Sequence, residues 1–442
     1  MGKRRFEKSE VSKTKTKELD IQGLLVMGND DSDHYSAVHK KYFKNEDKPR
    51  CPACGSEKTR SSKVVTRTFK DILEAENSGG FRIIDLVFHQ RYFRCDGCGK
   101  SVFPEDVDFA SKGCRYTNRL SDKLADGTLT YSYKRVCDYY GVPASTASVG
   151  AIMRRRIQLW ESSLPPIHTP ETLAIFEVEF YKRIYPVVFT VRAGEPYCLD
   201  ILEDSTEQTY ITFFNKLDAD KVKVIYIDPI ESLYNAVHTS FPSVSVMVTD
   251  ECILRYARIA LCDVIYKEGK RMPVKNKYAT LTQKKEYITE VYTKRQMASG
   301  FQSRPLLKTA YDHYQKLITL MEDEWQYSDI KTCIDDMPDS LPEFDILAHM
   351  VELFSDNIQE FSKEIGSTSG TYLSNVAQFI KIISEMPYCI YDVLRARIIF
   401  SAPPDTIIED ETEKRIGVRV FRLINKLKEI TDNIKEDRYY GL

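Results

Sequence analysis

The chain has 442 residues, enough for two to four domains of ordinary size. Its hydrophobic fraction of 42% and charged fraction of 29% are those of an ordinary soluble globular protein. The formal net charge of −2 excludes a polycation, so any nucleic-acid surface must be a local basic patch that acidic residues balance elsewhere.

The first twenty residues are polar and basic, so no secretory signal is expected there, and no apolar run approaches the ~18 residues that span a bilayer. The eleven cysteines are odd in number, and four of them stand in CxxC pairs. This pattern favours a reducing compartment with one metal site over a disulfide framework, and it predicts a cytoplasmic protein without a membrane partner.

Residues 1–48 are charged and begin with a basic cluster at Lys3, Arg4 and Arg5. Such a segment predicts a solvated, disordered tail, and contact with DNA phosphates is the alternative.

Residues 49–112 contain two knuckles, CPACG and CDGCG, which predict a zinc ribbon. Zinc favours four thiolates in a tetrahedron, and a closed Cys₄ site is structural because it leaves no position for substrate. The glycine after each knuckle permits a tight turn. The long interval between the knuckles requires a hairpin, for which VVTRTFKD and FHQRYFRC are suitable; four unligated cysteines are the alternative. The predicted ligands are Cys51, Cys54, Cys95 and Cys98.

Residues 113–161 predict a helix-turn-helix. One helix should run through YSYKRVCDYY and end at Gly141, and a second should cover about 144–157, with Ser145 or Thr146 as its cap. In this motif the second helix enters the major groove while basic side chains pair with phosphates. A helical hairpin with a solvated basic end is the alternative. The candidate DNA-binding residues are Lys134, Arg135, Ser145, Thr146, Arg154, Arg155 and Arg156.

Three prolines mark residues 162–171 as a linker. Short β-rich runs follow it, and then two apolar strand candidates, VKVIYID and VSVMVTD, with the helix-like segment PIESLYNAVHTSF between them. This order predicts a β-α-β unit in an α/β domain. From about 252 to 400 the pattern is mostly helical. Residues 410–436 predict a C-terminal helix that could form an oligomer contact, with apolar positions at Ile416, Val420, Leu423, Ile424, Leu427 and Ile430.

These parts, in this order, resemble the ISL3-type insertion-sequence transposases over about residues 49–400. The similarity rests on RTFKD, RYFRCDGCGKSVFPE and VIYIDPIESLYNAVHTSFPSVSVMVTDECILRYARIAL. The resemblance implies a multidomain α+β chain with a zinc ribbon, a helix-turn-helix and a ribonuclease-H-like core. The core would cover residues 172–400 with a helical insertion at about 285–365, and a helical tail would cover 401–442.

The resemblance also implies three acids that hold two Mg²⁺ ions for DNA strand cleavage and transfer. Asp228 matches the second acid, and Asp250 matches a later family aspartate but lacks the histidine that follows it there. Phe176 stands at the position of the first acid and Ser374 at that of the third. The acids that could replace these two are Glu177, Glu179, Asp356, Glu360, Glu364 and Glu385.

The sequence therefore favours a homo-oligomeric, transposase-type protein that binds specific double-stranded DNA, originally transposon ends, and has an impaired catalytic pocket. Zinc would be structural, and magnesium would bind only to an active enzyme. The alternatives are an active transposase that uses Glu177 with Asp228, and a protein-interaction scaffold derived from a transposase. For Asp228 itself, the structural alternative is a strand-end aspartate that caps the following helix.

Overall fold

The computed structural model describes residues 21–439 except residues 22, 32–33, 44–47, 75–80, 100–101, 112, 144, 273, 275, 323–324 and 365–369. The chain divides into two compact units. Unit 1 comprises residues 1–162 and 432–442, and unit 2 comprises residues 163–431. Among the described residues, no helix has the length and apolar character needed to cross a bilayer.

Unit 1 contains a five-stranded sheet. Its strands are β1 (Leu24–Asp31), β2 (His34–His39), β3 (Thr59–Glu74), β4 (Phe81–Cys95) and β5 (Val102–Pro104). The order is β1-β2-β4-β3, and β5 also pairs with β4. β3 and β4 form a long antiparallel hairpin, whereas β2 runs parallel to β4. Alternate side chains of the hairpin are buried, and the rings of Phe69, Phe88 and Phe109 meet edge to face in this core.

The prediction of a disordered tail is wrong for much of the segment before the first knuckle. β1, β2 and the short helix α1 (Lys40–Phe43) are ordered elements of unit 1. Leu24, Val26 and Tyr35 are buried in the same cluster as the hairpin side chains. Apolar residues alternate with polar ones in both strands, which gives each strand one buried face, but the charged residues around them obscure this pattern. The basic cluster at residues 3–5 lies outside the described residues.

Three helices follow the sheet: α2 (Asn118–Thr130), α3 (Tyr133–Tyr139) and α4 (Thr146–Ser163). α2 is attached to β3 by an ion pair, in which Arg119 contacts the fully buried carboxylate of Asp71 at 2.6 Å. Thr117 caps α2 and also donates a hydrogen bond to Asp71. The buried carboxylate therefore has both a cation and a hydroxyl donor, as a charge in this environment requires.

Unit 2 contains a seven-stranded mixed sheet. Its strands are β6 (Thr172–Phe180), β7 (Arg183–Arg192), β8 (Glu195–Ile201), β9 (Val224–Ile227), β10 (Ser245–Met247), β11 (Asp405–Glu409) and β12 (Thr412–Arg419). The order is β10-β9-β6-β7-β8-β12-β11. β6, β7 and β8 are antiparallel neighbours, and β9 and β10 run parallel to β6.

The predicted β-α-β unit is confirmed, since a helix connects β9 to the parallel strand β10. The region from 250 to 400 is mostly helical, also as predicted. The helices of unit 2 before the last hairpin are α5 (Glu207–Phe214), α6 (Glu231–Ser240), α7 (Asp250–Glu268), α8 (Lys277–Leu281), α9 (Val291–Gln302), α10 (Pro305–Leu320), α11 (Tyr327–Asp335), α12 (Asp345–Leu353), α13 (Ser355–Glu364), α14 (Gly370–Glu385) and α15 (Tyr391–Phe400).

The C-terminal helix begins later than predicted. Residues up to Arg419 form the β11–β12 hairpin, and the helix α16 covers only Val420–Tyr439. Ile416 and Val418 are buried on one face of β12, which pairs with β8. Ile416 and Val420 are spaced like neighbours on a helix, but Ile416 and Val418 are also spaced like neighbours on one face of a strand. Pairing with β8 decides in favour of the strand.

Candidate functional sites

The four knuckle cysteines lie together in unit 1. Their sulfur atoms are all within 4.8 Å of one another. Cys51 and Cys95 are buried, and Cys54 is exposed. The β3–β4 hairpin brings the knuckles together, because Thr59 near the start of β3 pairs with Cys95 at the end of β4. The predicted hairpin insertion is thus confirmed, and four converging thiols are a donor set that fits a tetrahedral zinc ion.

Each knuckle turns at the glycine predicted for it. Gly55 and Gly99 have φ values of +68° and +67°, a left-handed conformation that other residues rarely adopt. The amide of Gly55 donates to the carbonyl of Cys51 at 2.8 Å, which closes the first knuckle. The two loops therefore have the same backbone turn directly after their second cysteine.

The two helices predicted for residues 133–157 are present as α3 and α4. Ser132 caps α3, and Gly141, which follows this helix, has a φ of +61°. Ser145 is the cap of α4, since its hydroxyl accepts from the amide of Ser148 at 3.2 Å. The side chain of Thr146 lies outside the described residues.

The predicted basic residues of this pair of helices have different surroundings. Lys134 and Arg154 are exposed, and Arg155 is half-buried. The guanidinium of Arg135 lies 4.5 Å from the ring centre of Tyr131. Arg156 is held within unit 1, where it contacts acidic side chains of α2 at 3.4 Å and lies over the ring of Trp160. Arg156 is therefore less suited to a phosphate contact than Arg155.

One face of α4 lines a cleft that sequence reasoning did not predict. The cleft has a volume of about 680 Å³ and contains small residues of the first turn of α4, namely Ala147 and Ser148. Arg154, Arg155 and Gln158 follow on the same face, since they lie seven to eleven positions further along the helix. Arg115, which precedes α2, adds a third cation. Sequence analysis missed Arg115 because it is a single basic residue outside a helix and therefore belongs to no helical pattern.

In unit 2, Asp228 directly follows β9 and is fully buried. Its Oδ2 accepts from the amide of Glu177 at 2.6 Å and from Nη1 of Arg255 at 2.8 Å. Its Oδ1 contacts Nη2 of Arg255 at 2.7 Å and accepts from the thiol of Cys252 at 3.1 Å. Four protein donors therefore surround a carboxylate that has about four lone-pair positions.

The helix-capping role considered for Asp228 is wrong. α6 begins at Glu231, its N-cap is Ile230, and it has no side-chain cap. The carboxylate of Asp228 instead contacts β6 and α7, because β9 ends beside Glu177 and the first turns of α7.

Phe176 lies on β6, the neighbour of β9, at the position expected for the first acid. Its ring is 5% exposed and packs 6.4 Å from the ring of Phe189. The next residue, Glu177, contacts Asp228 through its backbone only. Its side chain accepts from the hydroxyl of Ser205 at 2.5 Å. Partial burial raises the pKa of Glu177, and the charge of Asp228 raises it further.

Among the described residues, no other acid that the sequence analysis proposed for the site contacts Asp228. Asp250 begins α7, and its carboxylate accepts from the amide of Glu251 at 2.8 Å. Ser374 lies in α14, and its side chain is outside the described residues, as is that of Glu364. Among the described residues, none of Glu179, Asp356, Glu360 and Glu385 lines the space next to Asp228.

A cavity of about 490 Å³ opens beside Asp228, and we call it the Asp228 cavity. It is lined by Phe176, Asp228, Glu251, Cys252, Arg255, Arg258, Val376, Ala377, Gln378, Ile380, Lys381 and Ser384. Sequence reasoning missed its cations. Arg255 and Arg258 are three residues apart and therefore share a face of α7, and Lys381 comes from α14. The signal available in the sequence was the spacing of the two arginines in DECILRYAR, which begins at Asp250.

Comparison with protein-family models gives a match to part of the chain. The model of a DDE transposase family of the ISL3 type matches residues 173–388, which run from β6 through α14 and include Phe176, Asp228 and Ser374. A search among curated proteins finds no significant match. Over residues 173–388 the chain is therefore similar to the ISL3-type DDE transposase family.

Proposed function

We propose that this transposase-family protein binds specific double-stranded DNA, originally transposon ends, through unit 1, and that its DDE pocket no longer performs two-metal cleavage. The loss of two-metal cleavage is inferred from the hydrogen bonds and the ion pair that the carboxylate of Asp228 forms with protein groups. Catalysis by this family needs acids that ligate two divalent ions, whereas here protein donors occupy all four acceptor positions of the one matching acid.

The other lining groups also fit magnesium poorly. Mg²⁺ prefers several hard oxygen ligands, but Phe176 offers none. Arg255, Arg258 and Lys381 bring three positive charges to the cavity against two carboxylates, Asp228 and Glu251. A divalent cation would have to displace Arg255 and would then meet two further cations. The residues present therefore do not fit a two-metal site.

We further propose a ribonuclease-H-like core for unit 2. The strand order β8-β7-β6-β9-β10, with three antiparallel strands followed by two parallel ones, supports this assignment. In such a core the first two acids stand on neighbouring strands. Phe176 on β6 and Asp228 after β9 are neighbours of this kind, since the amide of Asp228 donates to the carbonyl of Ile175.

For DNA recognition we propose α3 and α4 as a helix-turn-helix. The small residues at the start of α4 would allow its N-terminal end to approach base edges, and Ser145 and Thr146 are placed at that end. Arg115, Arg154 and Arg155 would contact phosphates, as would Lys134 and Arg135 on α3. The Cys₄ cluster would hold one structural zinc ion that fixes both ends of the β3–β4 hairpin.

The test combines binding and cleavage with the full-length protein. Duplexes from the DNA that flanks the gene, and shuffled versions of them, are titrated by fluorescence anisotropy at several salt concentrations. Supercoiled plasmids that carry the same DNA are incubated with Mg²⁺ or Mn²⁺. We expect preference for the flanking DNA and no nicking. Equal affinity for flanking and shuffled DNA would contradict specific recognition and favour a scaffold role.

An active transposase with a displaced acid is the second candidate. Glu177 favours it, because this half-buried residue lies on β6, the strand beside β9, and its backbone amide contacts Asp228. This candidate predicts metal-dependent nicking that Glu177→Gln abolishes and Glu179→Gln, a matched change two residues away, leaves intact.

A further inference from the structure

The Asp228 cavity contains two cationic side chains that have no partner among the described residues. Arg258 on α7 and Lys381 on α14 make no hydrogen bond or ion pair within 4 Å there. Arg255 differs, because the buried Asp228 carboxylate neutralises it. The two walls of the cavity thus each present one positive charge that no ion pair within 4 Å neutralises, although the charge of Arg258 also acts on Glu251.

The acidic groups of the cavity do not cancel this charge. Asp228 is already paired with Arg255, as described above. Glu251 keeps a large exposed surface, yet partial desolvation raises the pKa of its carboxyl, and the charge of Arg258 only partly opposes this effect. Even with Glu251 ionised, the three cations Arg255, Arg258 and Lys381 exceed the two carboxylates Asp228 and Glu251, so the cavity is net positive.

Hydrogen-bonding and apolar groups lie around the cations. Gln378 and Ser384 are three residues before and after Lys381, so all three share one face of α14. Phe176 and Ile380 supply apolar wall. A cavity of about 490 Å³ is within the range of small-molecule sites, roughly 300–1,000 Å³.

We propose that the Asp228 cavity is a metal-independent binding site for a phosphomonoester. Such a group carries a charge of about −1.5 to −2 at neutral pH, which matches Arg258 and Lys381 together, whereas an internal phosphodiester carries one charge. Arg258 would supply a planar fork of donors and Lys381 a point charge. Gln378 would donate to a remaining oxygen, and the apolar wall would contact the sugar or base. The phosphomonoester is that of a free nucleotide or of a DNA strand end.

This inference rests on the proposed absence of metal from the cavity. Binding of a phosphomonoester is tested by a measurement separate from the nicking assay. The probe is a short single-stranded oligonucleotide with a 3′ fluorophore and either a 5′-phosphate or a 5′-hydroxyl, titrated with the full-length protein in buffer without divalent cations. Charge-assisted hydrogen bonds should give the phosphorylated probe an affinity at least ~10-fold higher. Adenosine monophosphate and inorganic phosphate are then added as competitors.

The double variant Arg258→Gln/Lys381→Gln should lose this preference. Lys294→Gln, which removes an exposed charge from α9 outside the cavity, is the matched control and should keep it. Competition by adenosine monophosphate assigns the site to free phosphomonoesters, and its absence assigns it to strand ends. Equal affinity for both probes, or a preference that survives in the double variant, would overturn the proposal. Failure of the proposed function would appear differently, as metal-dependent nicking or as loss of duplex specificity.

Discussion

The guanidinium of Arg255 forms a two-point ion pair with the carboxylate of Asp228, at 2.7 and 2.8 Å. Asp228 is fully buried, and Arg255 is 25% exposed through the Asp228 cavity. A buried carboxylate requires a compensating charge and donors for its lone pairs. In a DDE enzyme metal ions meet this requirement; here an arginine of the same chain meets it.

We expect Arg255→Ala to destabilise unit 2 by about 3–5 kcal/mol, since it leaves a buried carboxylate without its cation. The measurement is urea unfolding followed by the fluorescence of Trp325, which is buried in unit 2. The double variant Arg255→Ala/Asp228→Asn should recover part of the loss, because no charge then remains buried. Arg258→Ala, one turn away and unpaired, should change the free energy of unfolding by less than ~0.5 kcal/mol. Equal losses for Arg255→Ala and Arg258→Ala would show that the ion pair does not stabilise the fold.

The sequence predicts the parts of the fold that local pattern and spacing determine. Two apolar runs with a helix between them predicted β9, α6 and β10, and the interval between the knuckles required the β3–β4 hairpin. The Arg255–Asp228 pair could not be predicted in this way. It depends on which face of α7 meets the end of β9, and that register is set by tertiary packing rather than by the spacing of 27 residues between the two side chains.

Two predictions were wrong for a similar physical reason, namely the disordered tail at the N-terminus and the start of the C-terminal helix. β2 pairs with β4, which is distant in sequence, and β1 pairs with β2. The local sequence does not show the long-range pairing, and the charged residues around both strands obscure their alternating pattern. Ile416 fits a helical repeat and a strand repeat equally well, and the pairing of β12 with β11 and with the distant strand β8 decides between them. Contacts between distant segments thus account for both differences.

We expect the purified protein to contain one zinc ion per chain and the variant Cys51→Ser/Cys95→Ser to contain none. Serine is a poor ligand for zinc, and both cysteines are buried in the cluster. Atomic emission measures the metal content, and thermal unfolding should show a lower melting temperature for unit 1. Cys262→Ser is the control, because this half-buried cysteine on α7 is outside the cluster. Zinc that persists in the double variant would rule out the Cys₄ site.

Neighbouring arginines on α4 should differ in their effect on DNA binding. Arg155→Ala should lower duplex affinity and reduce the slope of log K against log salt by about 1, because one phosphate contact is lost. Arg156→Ala should leave this slope unchanged and cost at most ~1 kcal/mol of stability, since Arg156 pairs with Asp122 and Asp126 at the surface. Anisotropy titrations at four salt concentrations measure both slopes. A larger change in slope for Arg156→Ala would contradict the proposed orientation of α4.

Glu105, which follows β5, should make the stability of unit 1 depend on pH. Its side chain is 2% exposed, and one oxygen accepts from the amide of Arg91 at 2.8 Å. Burial raises the pKa of Glu105 to about 7, and the hydrogen bond and charge of Arg91 oppose this shift only in part. The folded state therefore holds the proton more tightly than the unfolded state does.

Because the folded pKa of Glu105 is raised, its stabilising contribution is complete below pH ~4.5 and is lost as the pH rises to about 7. We expect the free energy of unfolding of the wild type, relative to Glu105→Gln, to fall by about 2–3 kcal/mol across this range. Urea unfolding of both proteins between pH 5 and 8 measures this difference. The comparison cancels the opposite effect of pH on the Cys₄ cluster, which loses thiolate as the pH falls. A difference that stays constant with pH would mean that Glu105 is ionised in the folded protein.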